Sequence, residues 1–375
     1  MSLRKGIDPS SNIVGVTIMK KKYDLAVFIG RFQPFHLGHM AVINEALSLA
    51  TKVAIIVGSA NSSRSHRNPF TYEERVEMIR NSFPEDSSRL FFASVEDTIY
   101  NDELWIKNVQ AAVLKCRQEA YGGFFPMART TLIGHSKDHT SFYLKLFPQW
   151  ESESVKDYKG FSSTMIRESY FSDSWDKHRM IRDADYFSHD ATRFMPPAVV
   201  DFLIQFSTTE EYQTIKGDFE FVKKYKRQWE QSPFPPMFVT VDAVTVQSGH
   251  ILLVKRGARP GLGQWAIPGG FLNQEEKIID GALRELKEET KIKVPLAVLR
   301  GNIVEREVFD DPNRSSRGRT ITHAFLIHLP PDEELPKIKG SDDAAEAKWI
   351  PLSEVRRDMM YEDHYDIILH LTSKL

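Results

Sequence analysis

The chain has 375 residues, 41% hydrophobic and 27% charged, a globular composition that argues against disorder, a collagenous rod or a coiled coil. Lysine and arginine number 49 against 51 aspartate and glutamate, a net charge of −2. The global positive field that favours nucleic-acid backbones or anionic lipid is therefore missing, and neither partner is expected. At roughly 150 residues per domain the length predicts two to three domains. Cys116 is the one cysteine and cannot form an internal disulfide, no Cys/His cluster has zinc spacing, and no apolar run approaches the roughly 18 residues of a membrane span. The chain reads as soluble and cytoplasmic. Residues 1–21 are set aside as an N-terminal extension.

Residues 24–30 (DLAVFIG) predict a strand, Met40, Ile43, Leu47 and Ala50 recur at helical spacing, and 53–58 predicts a second strand. Together they make a βαβ unit with a right-handed crossover. Thr71 and Glu74 form a capping-box pattern for a helix reaching about residue 83. Strands at 90–95, 130–134 and 153–155, separated by helices, complete a doubly wound, Rossmann-like α/β domain over 22–172. A helical connector is expected over 173–232, with one helix after Pro196-Pro197 and another up to Trp229; the run from Ser232 to Pro236 (SPFPP) ends it, since proline cannot continue a helix. Residues 233–375 predict a second domain: strands at 238–246 and 251–255 around a hairpin turn, a strongly patterned helix at 275–289, then strands at 298–308 and 320–328. That is an α+β sandwich.

The loop after the first strand reads Gly30-Arg-Phe-Gln-Pro-Phe-His36-Leu-Gly38-His39 and runs straight into the first helix. A helix N-terminus offers free N–H groups and the positive end of the dipole to phosphate oxygens. Gly38 permits close backbone approach, and His36 and His39 can both donate to charge that builds up on a phosphate during displacement. The string resembles the HxGH signature of nucleotidyltransferases, and its longer form is similar to that of archaeal-type nicotinamide mononucleotide (NMN) adenylyltransferases. Ser162-Ser163-Thr164-Met-Ile-Arg167 resembles the second signature of that family, a capped helix start whose arginine faces the leaving pyrophosphate. The resemblance implies catalysis by His36, His39 and Arg167, and substrate or ATP binding by Gly30, Arg31, Phe32, Gly38, Arg67, Trp105, Ser162, Ser163 and Thr164. Within that set it gives Arg67 and Trp105 to the mononucleotide, with Trp105 stacking on the nicotinamide; a packed helix residue is the competing reading of Trp105.

The second domain holds Gly269-Gly270, then Glu276, then Arg284-Glu285-Leu-Lys-Glu288-Glu289. Residues three and four apart on a helix share a face, so Glu285, Glu288 and Glu289 converge, and a hard divalent cation would relieve their repulsion while gripping a diphosphate. A solvated acidic face is the alternative. The spacing resembles the Nudix box, which implies a metal held by Gly270, Glu285, Glu288 and Glu289, magnesium first and manganese as the substitute. One position departs: Lys291-Ile292 stands where the box usually has a glycine, which predicts a different helix ending. The loop from Phe309 to Arg319 is similar to that of Nudix proteins acting on ADP-ribose, implying ADP-ribose binding by Arg314, Arg317 and Arg319; a basic surface loop is the alternative. For the general base, Glu276, a box-helix glutamate, the acids of 341–343 and Glu346 all stay open.

The order of these parts resembles the bacterial bifunctional NMN adenylyltransferase/ADP-ribose pyrophosphatases. That implies two reactions: ATP and NMN giving NAD and pyrophosphate, and ADP-ribose hydrolysed to AMP and ribose 5-phosphate. A homo-oligomer is compatible with this reading. Two rivals are another phosphorylated substrate for the transferase, and a Nudix domain that senses ADP-ribose without cutting it.

Overall fold

A computed structural model describes residues 21–123, 128–135, 146–155, 162–172, 191–340 and 344–375. The N-terminal extension expected at 1–21 lies outside them except for its last residue. Strands β1 (Tyr23–Gly30), β2 (Ala50–Val57), β3 (Leu90–Ser94), β4 (Thr130–His135) and β5 (Glu151–Val155) form one parallel sheet in the order β3-β2-β1-β4-β5. The central strands β1 and β2 are apolar and largely buried on both faces, as a sheet covered on both sides requires, while the edge strand β5 is polar and largely exposed. Ala26 and Phe28 of β1 face a core with Ile43 and Leu47 of α1 (Leu37–Leu49), Ile79 of α2 (Tyr72–Ser82) and Ile166 of α4 (Ser163–Tyr170). The alternate residues Leu25 and Val27 face Val109, Val113 and Cys116 of α3 (Asp102–Tyr121).

The order reverses beside β1, between the crossovers running to β2 on one side and the pairing with β4 on the other. Doubly wound sheets open a crevice at such a point, beyond the carboxyl ends of the strands. The loop bearing His36 and His39 leaves β1 there.

Helices α5 (Pro197–Phe206) and α6 (Glu210–Arg227), expected as a connector, pack into the first core through Val199, Leu203, Phe206, Tyr212 and Ile215. The second sheet contains β6 (Met237–Gln247), β7 (His250–Arg256), β8 (Trp265–Ala266), β9 (Gly269–Phe271), β10 (Ile303–Phe309), β11 (Arg319–His328) and β12 (Ala344–Pro351). Its order is β10-β11-β6-β7-β12, with β8 on β7 and β9 on β6; β11 and β6 run parallel and the other pairs antiparallel. Leu283 and Leu286 of α7 (Ile278–Thr290) cover one face, and Ile367, Ile368 and Leu371 of α9 (His364–Thr372) the other.

Three expectations change. The strand predicted at 298–308 begins only at Ile303, because α8 (Leu296–Gly301) starts behind Pro295 and takes up the first residues. The helix predicted from 275 starts at Ile278, since Glu275 and Glu276 lie in the preceding turn. And α7 does end in the left-handed conformation that a glycine would favour: Lys291 adopts it, at φ 47°. Lys287 Nζ donates to the carbonyls of Ile292 and Val294, and the Thr290 hydroxyl accepts from the N–H of Ile292. Those bonds hold the chain through the turn without glycine.

The two halves touch directly. Ser63 Oγ donates to the Met360 carbonyl at 2.7 Å, Gln264 Nε2 to the Arg64 carbonyl at 3.3 Å, and the Tyr100 ring meets Phe309 edge-on at 4.8 Å. No helix among the described residues is long and apolar enough to cross a membrane.

Candidate active sites

His36 is the N-cap of α1: its Nδ1 accepts from the N–H of Gly38 at 3.1 Å and of His39 at 3.4 Å. An accepting Nδ1 places the ring proton on Nε2. Gly38 is required by this cap, since a Cβ there would stand 2.9 Å from His36 Cε1. The His39 ring stacks on that of His36, centroids 3.7 Å apart, and also meets the edge of Phe32 at 4.9 Å. Phe32 has φ 52° and is buried, so it shapes the loop from inside. Gly30 closes β1, its carbonyl accepting from the N–H of Gly58, and Arg31 is exposed.

The loop is held from two sides. Gln33, a residue that the sequence motif did not single out, pairs its amide with both backbone groups of Phe70, at 2.8 and 3.0 Å. From α4, Ser163 Oγ donates to the Pro34 carbonyl at 3.1 Å, and Arg167 donates to the Gln33 carbonyl at 2.6 Å and to Thr164 Oγ1 at 3.1 Å. Ser162 caps α4 by accepting from the N–H of Met165. The two sequence signatures, more than 120 residues apart in the chain, thus form one unit. Burial lowers the Arg167 pKa to about 10, with Arg31 and Arg67 adding to the effect, and burial together with Arg67 also lowers that of Lys226 on α6. Arg31, Arg67, Arg167 and Lys226 thus gather positive charge that suits an anion with several charges. Lys226 was invisible in the sequence, where it is one lysine of a charged helix.

Arg75 was also missed. It is 1% exposed and donates to the carbonyls of Thr71, Arg31, Gly58 and Ser59, tying the start of α2 to the carboxyl ends of β1 and β2. Ser59 Oγ meets Asp97 Oδ2 at 2.5 Å at the ends of β2 and β3. Trp105 lies in the first turn of α3, half-buried, 6.1 Å from the Phe147 ring, which itself stacks on Trp150. Arg67 points into the other half of the molecule: its guanidinium donates to the carbonyl of Asn313 and, at 3.1 Å, to that of Ser315.

In the second domain a cavity of about 410 Å³ is lined by both carboxylates and arginines. Gly269, Gly270, Glu285 and Glu289 line it with Asp242, Arg256, Arg284, Arg314, Ser315, Arg317, Glu362 and His364. Arg314 is buried and forms a two-pronged pair with Asp363, at 2.9 and 3.1 Å. Arg317 lies over the Phe271 ring at 4.8 Å, and its Nε is buried with no hydrogen-bond partner among the described residues. Arg319 pairs instead with Asp310 and is absent from the lining. Burial pushes the Glu289 carboxyl up to about 8, with Glu285 and Asp242 adding to the shift, even though its Oε2 accepts from the N–H of Gly269. Burial likewise raises Glu285.

Glu288 faces outward, 42% exposed, and shares Arg284 Nη1 with Glu285, while Glu276 takes the other prongs of Arg284. With the carboxylates thus spread around an arginine, no three His, Cys, Asp or Glu side chains among the described residues are grouped to hold a metal. The donor chemistry still fits a hard cation. Gly270 leaves a cradle that a Cβ would fill, 2.6 Å from Glu285 Oε1, and the buried Glu285 and Glu289, both raised by desolvation, are oxygen donors that a hard cation would stabilise in their charged form. Among the base candidates, Glu276 is occupied by Arg284 and Glu346 is exposed on β12; residues 341–343 lie outside the described residues.

Comparison with known proteins matches residues 27–169 to the cytidylyltransferase-like family and residues 236–371 to the NUDIX domain family. A nicotinamide/nicotinic acid mononucleotide adenylyltransferase of Acinetobacter baylyi is 36% identical over 214 residues, 55% of this chain and 96% of that protein. An ADP-ribose pyrophosphatase of Methanocaldococcus jannaschii is 33% identical over 130 residues, 35% of this chain and 70% of that protein. A crystal structure of a bifunctional NMN adenylyltransferase/ADP ribose pyrophosphatase from Francisella tularensis, complexed with AMP and a manganese ion, matches 94% of this chain and 99% of its own at 35% identity and a TM-score of 0.83.

Proposed function

The chain belongs to the bifunctional NMN adenylyltransferase/ADP-ribose pyrophosphatase family, and we propose that its two sites catalyse the two reactions of that name. The likeness over nearly the whole chain to the Francisella protein supports this reading above all, since it spans both the histidine loop and the carboxylate helix. Within it we assign 22–172 to adenylyl transfer, 173–232 to the connector and 233–375 to hydrolysis.

In the first site ATP and NMN give NAD and pyrophosphate by attack of one phosphate on another. The chain contributes positioning and charge rather than a nucleophile. His36, with its proton on Nε2, and His39 donate to the reacting phosphate at the start of α1; Arg167, Arg31 and Lys226 attract the polyphosphate. Gly30, Phe32, Gly38, Ser162, Ser163 and Thr164 hold that loop in shape, and Trp105 and Arg67 serve the mononucleotide.

In the second site Arg314 and Arg317 hold ADP-ribose by its phosphates or ribose, with Arg319 supporting the loop. Gly270, Glu285, Glu288 and Glu289 would hold a divalent cation, magnesium in our reading, which when bound polarises the diphosphate and activates water. Glu288 and Glu285 must then exchange Arg284 for the cation. Substrates of this kind belong to the cytoplasm. Chromatography of the products from ATP with NMN, and separately from ADP-ribose, tests the reading: NAD in the first and AMP in the second support it, and neither product appearing ends it.

A further inference from the structure

Among the described residues the ADP-ribose cavity is lined by the Nudix half alone, but the transferase half buttresses its wall. Tyr100 lies in the loop before α3, yet its ring packs with the second domain's core, edge-on to Phe309, and its hydroxyl donates to Asp363 Oδ2 at 2.6 Å. The same carboxylate grips Arg314, a residue of the cavity wall, with both its oxygens. On the other side of the loop, Arg67 binds the backbone carbonyls of Asn313 and Ser315, the two neighbours of Arg314. Arg314 is therefore fixed twice from across the domain boundary, through its side chain's partner and through its flanking backbone.

We propose that Tyr100 and Arg67 are positioning residues of the ADP-ribose site, so that the Nudix half of this chain takes its substrate at full affinity only while the transferase half is docked against it. A buried carboxylate that loses one of its donors reorients or relaxes its remaining pair. An arginine must be locked by its neighbours to recognise a phosphate in a fixed geometry. Among the described residues Tyr100 touches neither the carboxylate helix nor any candidate cation ligand and reaches the substrate only through Asp363 and Arg314, so its influence falls on substrate binding. The inference rests on the ADP-ribose reading of the cavity.

Tyr100→Phe in the full-length chain keeps the ring on Phe309 and removes only the donated hydrogen bond. The expected result is a rise of about five- to tenfold in KM for ADP-ribose, the loss of one charge-assisted bond at one remove, with kcat and the NAD synthesis rate within about twofold. Added to Arg314→Lys, the same change should alter KM by less than about twofold, because a residue acting through Arg314 has no further effect once that guanidinium is gone. Arg67→Ala should raise the same KM, which gives a second reading if Tyr100→Phe melts early. A tyrosine that merely packs would lower the melting temperature, leave KM where it was and add its effect to that of Arg314→Lys. If the parent hydrolyses ADP-ribose and KM is unchanged in both single variants, the proposal is overturned and the cavity's assignment stands. A parent that neither binds nor cuts ADP-ribose overturns both.

Discussion

The imidazoles of His36 and His39 are stacked, their planes 23° from parallel, while His36 Nδ1 holds the backbone N–H groups at the start of the helix that carries His39. The two imidazoles therefore differ in their work: that of His36 is structural as well as chemical, while His39 enters the cap through its backbone N–H and not through its ring. His36→Ala should lower stability by about 1 kcal/mol, the usual cost of a lost N-cap, and abolish NAD synthesis. Thermal unfolding and a synthesis assay check both at once; a variant that melts with the parent would mean that the cap is dispensable.

Trp105→Ala should raise KM for NMN far more than KM for ATP. Aromatic stacking is worth about 0.5–1.5 kcal/mol beyond burial and more against a cationic ring. Because Trp105 also packs against Phe147, some loss of stability is expected alongside. Equal shifts in both Michaelis constants would leave packing as its sole role.

Arg75→Met should cost on the order of 3 kcal/mol, since four buried or half-buried carbonyls lose a cationic donor. The damage lies at the ends of β1 and β2, so NAD synthesis should fall more than ADP-ribose hydrolysis at a temperature where the variant is folded. Equal losses of the two activities would contradict that placement.

The sequence revealed what is local. The strand, loop and helix around His36, the Thr71–Glu74 capping box, with both its bonds present, and the carboxylate helix are each written within a dozen residues. What stayed hidden is long-range. Arg67 reaches the backbone of Asn313 and Ser315, Tyr100 reaches Asp363, and α9 covers the second sheet. The reach of Arg67 and of Tyr100 leaves no periodicity, because it depends on where the chain returns, and the helical spacing of Ile367, Ile368 and Leu371 does not say which sheet α9 covers. Arg284 and Glu288 stand four residues apart, a spacing that a helix brings together, but the hold of Arg284 on Glu276, eight residues away across a turn, has no such signature.

Glu288→Gln should reduce ADP-ribose hydrolysis by roughly 100-fold or more, the amide being a poorer cation ligand, without lowering the melting temperature. Glu289→Gln should show a pH dependence. With its folded carboxyl raised to about 8 by burial, the parent holds a proton that the unfolded chain has lost, so its stability is full below the ordinary carboxylate range and declines as pH rises toward 8. In chelator the variant should therefore gain on the parent from about pH 5 upward and level off above pH 8. Added divalent cation should cancel that advantage by binding the folded parent. Melting curves across pH with and without the cation decide it, and a pH-independent difference would show that this carboxyl is not held protonated.

The most direct measurement follows the products of both reactions in one preparation of His39→Ala beside the parent. Two sites on separate sheets predict that the variant loses NAD synthesis by about 100- to 1000-fold, the usual effect of removing one donor to developing charge, while it releases AMP and ribose 5-phosphate from ADP-ribose at the parent's rate. NAD formed by the variant at the parent's rate, or both activities lost together in a folded protein, would contradict the account.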